Sequence, residues 1–130
     1  MFSHVFVGVT DFDRALTFYE PLMNVLGIKQ RFCEPHRPWA GWQSQPEARP
    51  LFVIAHPHNG QAPTPGNGTM VAFLAVTRSM VRQAHEVALQ NGGTTEGQPR
   101  LRPEYHAHYY GAYFRDPDGN KLCVACHESE

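Results

Sequence analysis

A chain of 130 residues with 42% hydrophobic content is long enough for one packed core and too short for two ordinary domains. Its 11 basic and 12 acidic residues nearly cancel, which leaves no electrostatic footprint for nucleic acid or an anionic membrane and favours a small-molecule or protein partner. Three cysteines, an odd number, make no disulfide framework. With no basic leader and no apolar run near the roughly 18 residues a span needs, a soluble cytoplasmic protein is expected.

In chain order, Phe2 to Val9 alternates, with Val5, Val7 and Val9 on one side and Phe2, His4, Phe6 and Gly8 on the other, so it reads as a strand. Thr10 supplies a cap hydroxyl with Asp13 three residues on, and Phe12, Ala15, Leu16, Tyr19, Leu22, Met23 and Leu26 follow at helical spacing until Gly27. Pro21 inside that pattern lacks a donor and crowds the preceding turn, so a kink or a break into two short helices is expected there. Ile28 to Cys33, Trp39 to Gln43 and Leu51 to His56 then form short strands of an antiparallel meander.

The Pro, Gly and Asn-rich stretch 58–67 has no apolar period and reads as a linker between module 1 (1–57) and module 2 (68–130). Met70 to Val76 is the next strand, and Ser79 to Asn91 a helix with Met80, Val81, Ala84, Val87 and Ala88 on one side and Gly92-Gly93 as its stop. Thr94 to Arg100 gives a further strand. The last two strands are the arms of a hairpin centred on Asp116-Pro117-Asp118-Gly119, where proline and glycine suit a type I turn with a G1 bulge. Pairing outward from Asp116 and Asn120 places Phe114 with Leu122, Ala112 with Val124 and Tyr110 with Cys126 on a core face. Arg115 with Lys121, Tyr113 with Cys123, Gly111 with Ala125 and Tyr109 with His127 occupy the opposite face, which is polar and aromatic enough to line a pocket.

The order strand, helix, three strands therefore occurs twice, giving an α+β fold of two βαβββ modules. The stretches His4 to Asp11 leading to Phe18-Tyr19, Gly68 to Phe73, Gly92-Gly93 and Phe114 to Asn120 resemble the vicinal oxygen chelate superfamily, the glyoxalase, bleomycin-resistance and dioxygenase group. That resemblance covers nearly the whole chain. It implies mixed sheets curled into a cup with helices outside, often completed by a homodimer, and in the enzymes a divalent metal that holds two neighbouring substrate oxygens. By that resemblance His4 matches the first metal ligand, whereas Met70 stands where a His or Gln belongs and Cys123 where a Glu belongs. The strand Leu51 to His56 lacks the carboxylate that lyases of the group add.

His4 is thus the first candidate for catalysis and metal binding, with His56 or His106 as replacement ligands. The expected pocket residues are His4, Phe6, Met70, His106, Tyr109, Tyr113 and Cys123. The spacing Cys123-Val-Ala-Cys126-His127 matches a haem-attachment pattern, but on a strand the two thiols point to opposite faces, so neither haem nor a nucleotide cofactor is expected. Cys126 reads as a core residue, and His36, His58 and His85 as exposed or locally bonded loop histidines. Two functions follow: a glyoxalase-like lyase, isomerase or dioxygenase acting on a small oxygenated substrate, or a non-catalytic binder of the drug-sequestering kind.

Overall fold

The computed structural model describes residues 1–44 and 46–130. Its elements run β1 (His4–Gly8), α1 (Phe12–Leu26), β2 (Lys29–Glu34), β3 (Trp39–Gln43), β4 (Leu51–Ala55), β5 (Val71–Leu74), α2 (Arg78–Gln90), β6 (Thr94–Leu101), β7 (Tyr110–Arg115) and β8 (Lys121–Cys126). They build two four-stranded mixed sheets, ordered β1-β4-β3-β2 and β5-β8-β7-β6. The second sheet repeats the first position for position: the opening strand lies parallel to the closing one, and the two strands between them complete an antiparallel meander. The fold is α+β, two βαβββ modules with curled, cup-shaped sheets. No helix among the described residues is long and apolar enough to cross a membrane.

One core serves both modules. Phe52 of β4 meets Phe73 of β5 edge to face at 5.0 Å, and Phe18 of α1 reaches Phe114 of β7 at 6.3 Å. Both helices pack apolar stripes into this layer. Phe12, Ala15, Phe18, Tyr19, Leu22, Met23 and Leu26 are buried along α1, and Val81, Ala84, His85 and Ala88 along α2. Each large side chain so buried contributes roughly 1.5–3 kcal/mol.

Three expectations need correction. At Pro21 the break into two short helices does not occur: α1 is one helix from Phe12 to Leu26, because the proline's fixed φ already suits a helix and the fully buried face on either side, Phe18, Tyr19, Leu22 and Met23, holds the turns in place. Its N-cap is Asp11, whose carboxylate accepts from Arg14 N–H at 3.0 Å, and the Thr10 hydroxyl is engaged elsewhere, by Asp118. His85 is buried on α2, with Nε2 2.9 Å from Thr95 Oγ1 and its ring against Phe114. The periodicity predicts the apolar stripe of α2, and His85 falls on it one turn after Val81.

The β7–β8 hairpin has the expected register throughout, from Arg115 opposite Lys121 to Tyr110 opposite Cys126. Gly119 takes φ 91°, and Asp116 N–H donates to the Asn120 carbonyl at 3.0 Å. The turn also locks the modules together. Asp116 is buried and accepts from Tyr19 Oη of α1 at 2.6 Å, besides Asp118 N, Asn120 N and Asn120 Nδ2. Asp118 accepts from Thr10 N–H at 3.1 Å, and Asn120 Nδ2 donates to the Gly8 carbonyl at 3.0 Å.

Candidate functional site

The pleat of β7 and β8 sends Phe114, Ala112, Leu122, Val124 and Cys126 into the helix-side core, which commits Tyr113, Arg115, Lys121 and Cys123 to the other face. A cavity of about 660 Å³ opens over that face. Tyr109, Tyr113, Arg115, Lys121 and His127 line it from the hairpin, Tyr105 and His106 from the β6–β7 connection, and Gly66 to Met70 from the segment between the modules. That segment is more than a spacer. It packs so closely along β1 that a Cβ on Gly8 would stand 3.0 Å from Pro63 Cβ, and Pro65 lies 3.7 Å from the corresponding point on Gly119.

Arg102 fastens the β6–β7 connection. It is buried, donates through Nε to the Gly111 carbonyl at 3.2 Å and through Nη2 to the Gln98 carbonyl at 2.7 Å, and stacks 4.7 Å from the centre of the Tyr113 ring. Its backbone N–H bonds the Tyr109 carbonyl at 2.8 Å, which closes the connection on itself. Tyr109 then lies across β7 because Gly111 has no side chain: a Cβ there would fall 2.8 Å from Tyr109 Cε1. In this position Tyr109 Oη is 2.9 Å from Tyr113 Oη and 3.5 Å from Cys123 Sγ.

All three hydroxyl and thiol groups stay protonated at neutral pH. Burial pushes the Tyr109 and Tyr113 phenols and the Cys123 thiol upward, and for Tyr109 the bonds with Tyr113 and Cys123 add to the effect. At the rim, His108 N–H donates to His106 Nδ1 at 3.1 Å, so the neutral His106 ring carries its proton on Nε2 and donates it to His127 Nδ1 at 2.8 Å. The pair is stacked, with Tyr109 edge-on to both rings.

Of the residues expected at the pocket, Met70, His106, Tyr109 and Tyr113 come together in this cavity. Cys123 is fully buried on the same face, with its Sγ 3.5 Å from Tyr109 Oη. His4 is exposed at the start of β1 with its Nδ1 3.0 Å from Ser3 Oγ, and Phe6 lines one hollow with Pro57, Asn59 and Pro63 and another that shares Gly66, Thr69 and Lys121 with the cavity. His56 is exposed beside another small hollow next to Val9 and Thr10. Among the described residues no three His, Cys, Asp or Glu side chains gather in one place. Sequence reasoning singled out neither Arg115, Lys121 and His127 nor the 66–69 wall as binding residues. The hairpin register had already put the first three on the pocket face, whereas no periodicity marks where an irregular segment will lie.

Comparison with known proteins bears on what this arrangement serves. The family model "Glyoxalase/Bleomycin resistance protein/Dioxygenase superfamily" matches residues 1–124. The crystal structure of a glyoxalase/bleomycin resistance protein from Albidiferax ferrireducens T118 superposes with a TM-score of 0.87 at 38% identity, over 97% of this chain and 98% of that one. A glyoxalase/bleomycin resistance protein/dioxygenase family enzyme from Burkholderia phytofirmans PsJN has a TM-score of 0.71 at 20% identity, over 97% and 98% of the two chains. A lactoylglutathione lyase from Agrobacterium tumefaciens has a TM-score of 0.63 at 17% identity, over 97% and 92%. At such identities the last two establish likeness of fold. No match was found among curated proteins.

Proposed function

The chain belongs to the glyoxalase/bleomycin resistance protein/dioxygenase superfamily, and from that premise we propose that it binds a small oxygenated molecule in the cavity over β7 and β8 without help from a metal. The observation that carries this reading is the cavity itself: three tyrosines, two histidines and two cations converge on about 660 Å³, within the size range of ligand pockets.

The family's metal has poor donors here. Cys123, at the carboxylate position, is buried and bonded to Tyr109, and burial keeps its thiol protonated, whereas a metal ligand must be a thiolate. Met70 offers a half-exposed thioether, β4 offers no carboxylate, and His4 stands alone at the edge of its sheet. A hard octahedral site of imidazole and carboxylate oxygen does not fit these residues. Binding with aromatic faces, phenol hydroxyls and cations does, and it is the manner of a sequestering protein.

A homodimer belongs to the same proposal. Phe2, Phe6, Met70, Leu74 and Val76 are exposed along β1, β5 and their flanks, and both strands are sheet edges, which a second copy would cover. The free thiols suit a reducing compartment such as the cytoplasm.

The test is a thermal-shift screen of small oxygenated compounds on protein stripped with EDTA. Ligands are expected to raise Tm equally with and without EDTA, and to lose their effect in Tyr113→Ala. Stabilisation that requires added Ni²⁺, Zn²⁺, Mn²⁺ or Fe²⁺ and disappears in His4→Ala would overturn the metal-free reading.

A further inference from the structure

The cavity has a sign. Among the described residues no acidic side chain lines it, while Arg115 and Lys121 do. Arg115 is already committed: Nε is ion-paired with Glu96 and Nη1 donates to the Gly119 carbonyl at 2.8 Å. Lys121 is in a different position. Among the described residues it has no ion pair, and its Nζ lies 5.7 Å from the centre of the Tyr113 ring. Buried Arg102, 4.7 Å from that same ring, donates to carbonyl groups and among the described residues has no carboxylate partner. Two positive charges therefore border Tyr113, and the carboxylate whose charge reaches Lys121, Glu96, is already held by Arg115.

This decides between two uses of a tyrosine-lined pocket. Such a pocket can cage a cation, but here the Tyr113 ring already attracts two cations, and a third would meet their repulsion. An anion gains the opposite interaction. The hydroxyl network is compatible with it as well: either phenol of the Tyr109–Tyr113 pair can be the donor, and when Tyr109 O–H donates to Tyr113 Oη the Tyr113 proton is available to a ligand. One ammonium and one phenol match a carboxylate better than a phosphate dianion, which calls for more donors. The rings of Tyr105 and Tyr109, 5.0 Å apart, supply aromatic surface beside it.

We propose that the cavity binds an aromatic carboxylate, its carboxylate held by the Lys121 ammonium and the Tyr113 hydroxyl and its ring against the tyrosines. The inference rests on the cavity being the binding site and adds the class of ligand. The probes are 2-naphthoate, 2-naphthamide and 2-naphthylmethylammonium, titrated against the full chain by naphthyl fluorescence and by NMR shifts of the tyrosine rings. Naphthoate is expected to bind about tenfold more tightly than the amide, as one charge-assisted contact implies, and the ammonium most weakly. Lys121→Gln should remove the preference for naphthoate over the amide while amide binding persists, and Lys121→Arg should restore the preference. Amide or ammonium binding as tight as that of naphthoate overturns the ligand class and leaves the cavity reading standing. If none of the three shifts Tyr109 or Tyr113, the cavity reading falls and the ligand class falls with it.

Discussion

The bond between Tyr19 and Asp116 offers the sharpest test of how the modules are held together. Tyr19 is fully buried on α1 and donates to a buried carboxylate in the β7–β8 turn at 2.6 Å. Tyr19→Phe removes that hydroxyl but keeps the ring against Phe18 at 4.8 Å and Phe52 at 5.3 Å, so packing changes little. A hydrogen bond to a charged group contributes about 1.5–3 kcal/mol. Asp116 keeps three other donors in the variant, Asp118 N, Asn120 N and Asn120 Nδ2, so the loss should be about 2 kcal/mol. Asp116→Ala is more severe, roughly 3–5 kcal/mol, because it strips the turn of its acceptor and leaves the Tyr19 hydroxyl buried without a partner. In the double variant that stranded hydroxyl is gone, so the two losses should fall short of additivity by about 1.5–3 kcal/mol. The assay is equilibrium unfolding in urea followed by circular dichroism and fluorescence, with an unchanged m value in each variant. A Tyr19→Phe loss under about 0.5 kcal/mol, or additive single losses, would refute the clamp. Alkaline pH gives a second check. Burial and then Asp116 raise the Tyr19 phenol well above its ordinary 10.0, so the unfolded chain releases this proton first as pH climbs past 10. Stability is lost in that range in the wild type, and Tyr19→Phe should flatten the loss.

Three further outcomes are expected. Gly111→Ala puts a Cβ 2.8 Å from Tyr109 Cε1, so the ring must leave Tyr113 and Cys123; stability should fall only about 1–2 kcal/mol, while naphthoate binding by titration is lost. Cys123, buried and held protonated, should react with a thiol reagent far more slowly than half-buried Cys33, and Tyr109→Ala should narrow that gap when the modified residues are identified by mass spectrometry; equal rates in the wild type would count against the buried network. Burial lowers the His85 pKa below 6.5, so as pH falls below that value the unfolded chain takes up a proton the folded chain resists, and stability declines; His85→Gln, scanned by thermal melting, should lose this part of the acid dependence.

Local chemistry by itself determined a good deal of this protein. Asp116-Pro117-Asp118-Gly119 fixes its hairpin register because the turn needs no distant contact to choose its type, and a period of two then assigns every side chain of β7 and β8 to a face. The two helices and the repeated module order are legible for the same reason, since each element advertises its buried stripe. Pro21 misleads at that level because its local cost, about 3 kcal/mol, is outweighed by the buried stripe on either side.

Only the tertiary structure decided the site. Segment 66–69 becomes a cavity wall because Gly8 leaves room for Pro63 and Pro65 packs beside Gly119, a fit between surfaces far apart in the chain. His106 meets His127, and Tyr109 comes to lie over Gly111 and seal Cys123, through contacts that no period encodes. Sequence pattern reports which face a side chain takes. What covers that face, and whether a thiol on it meets solvent or a phenol, depends on how irregular segments pack across it, and that is settled only once the whole chain has folded.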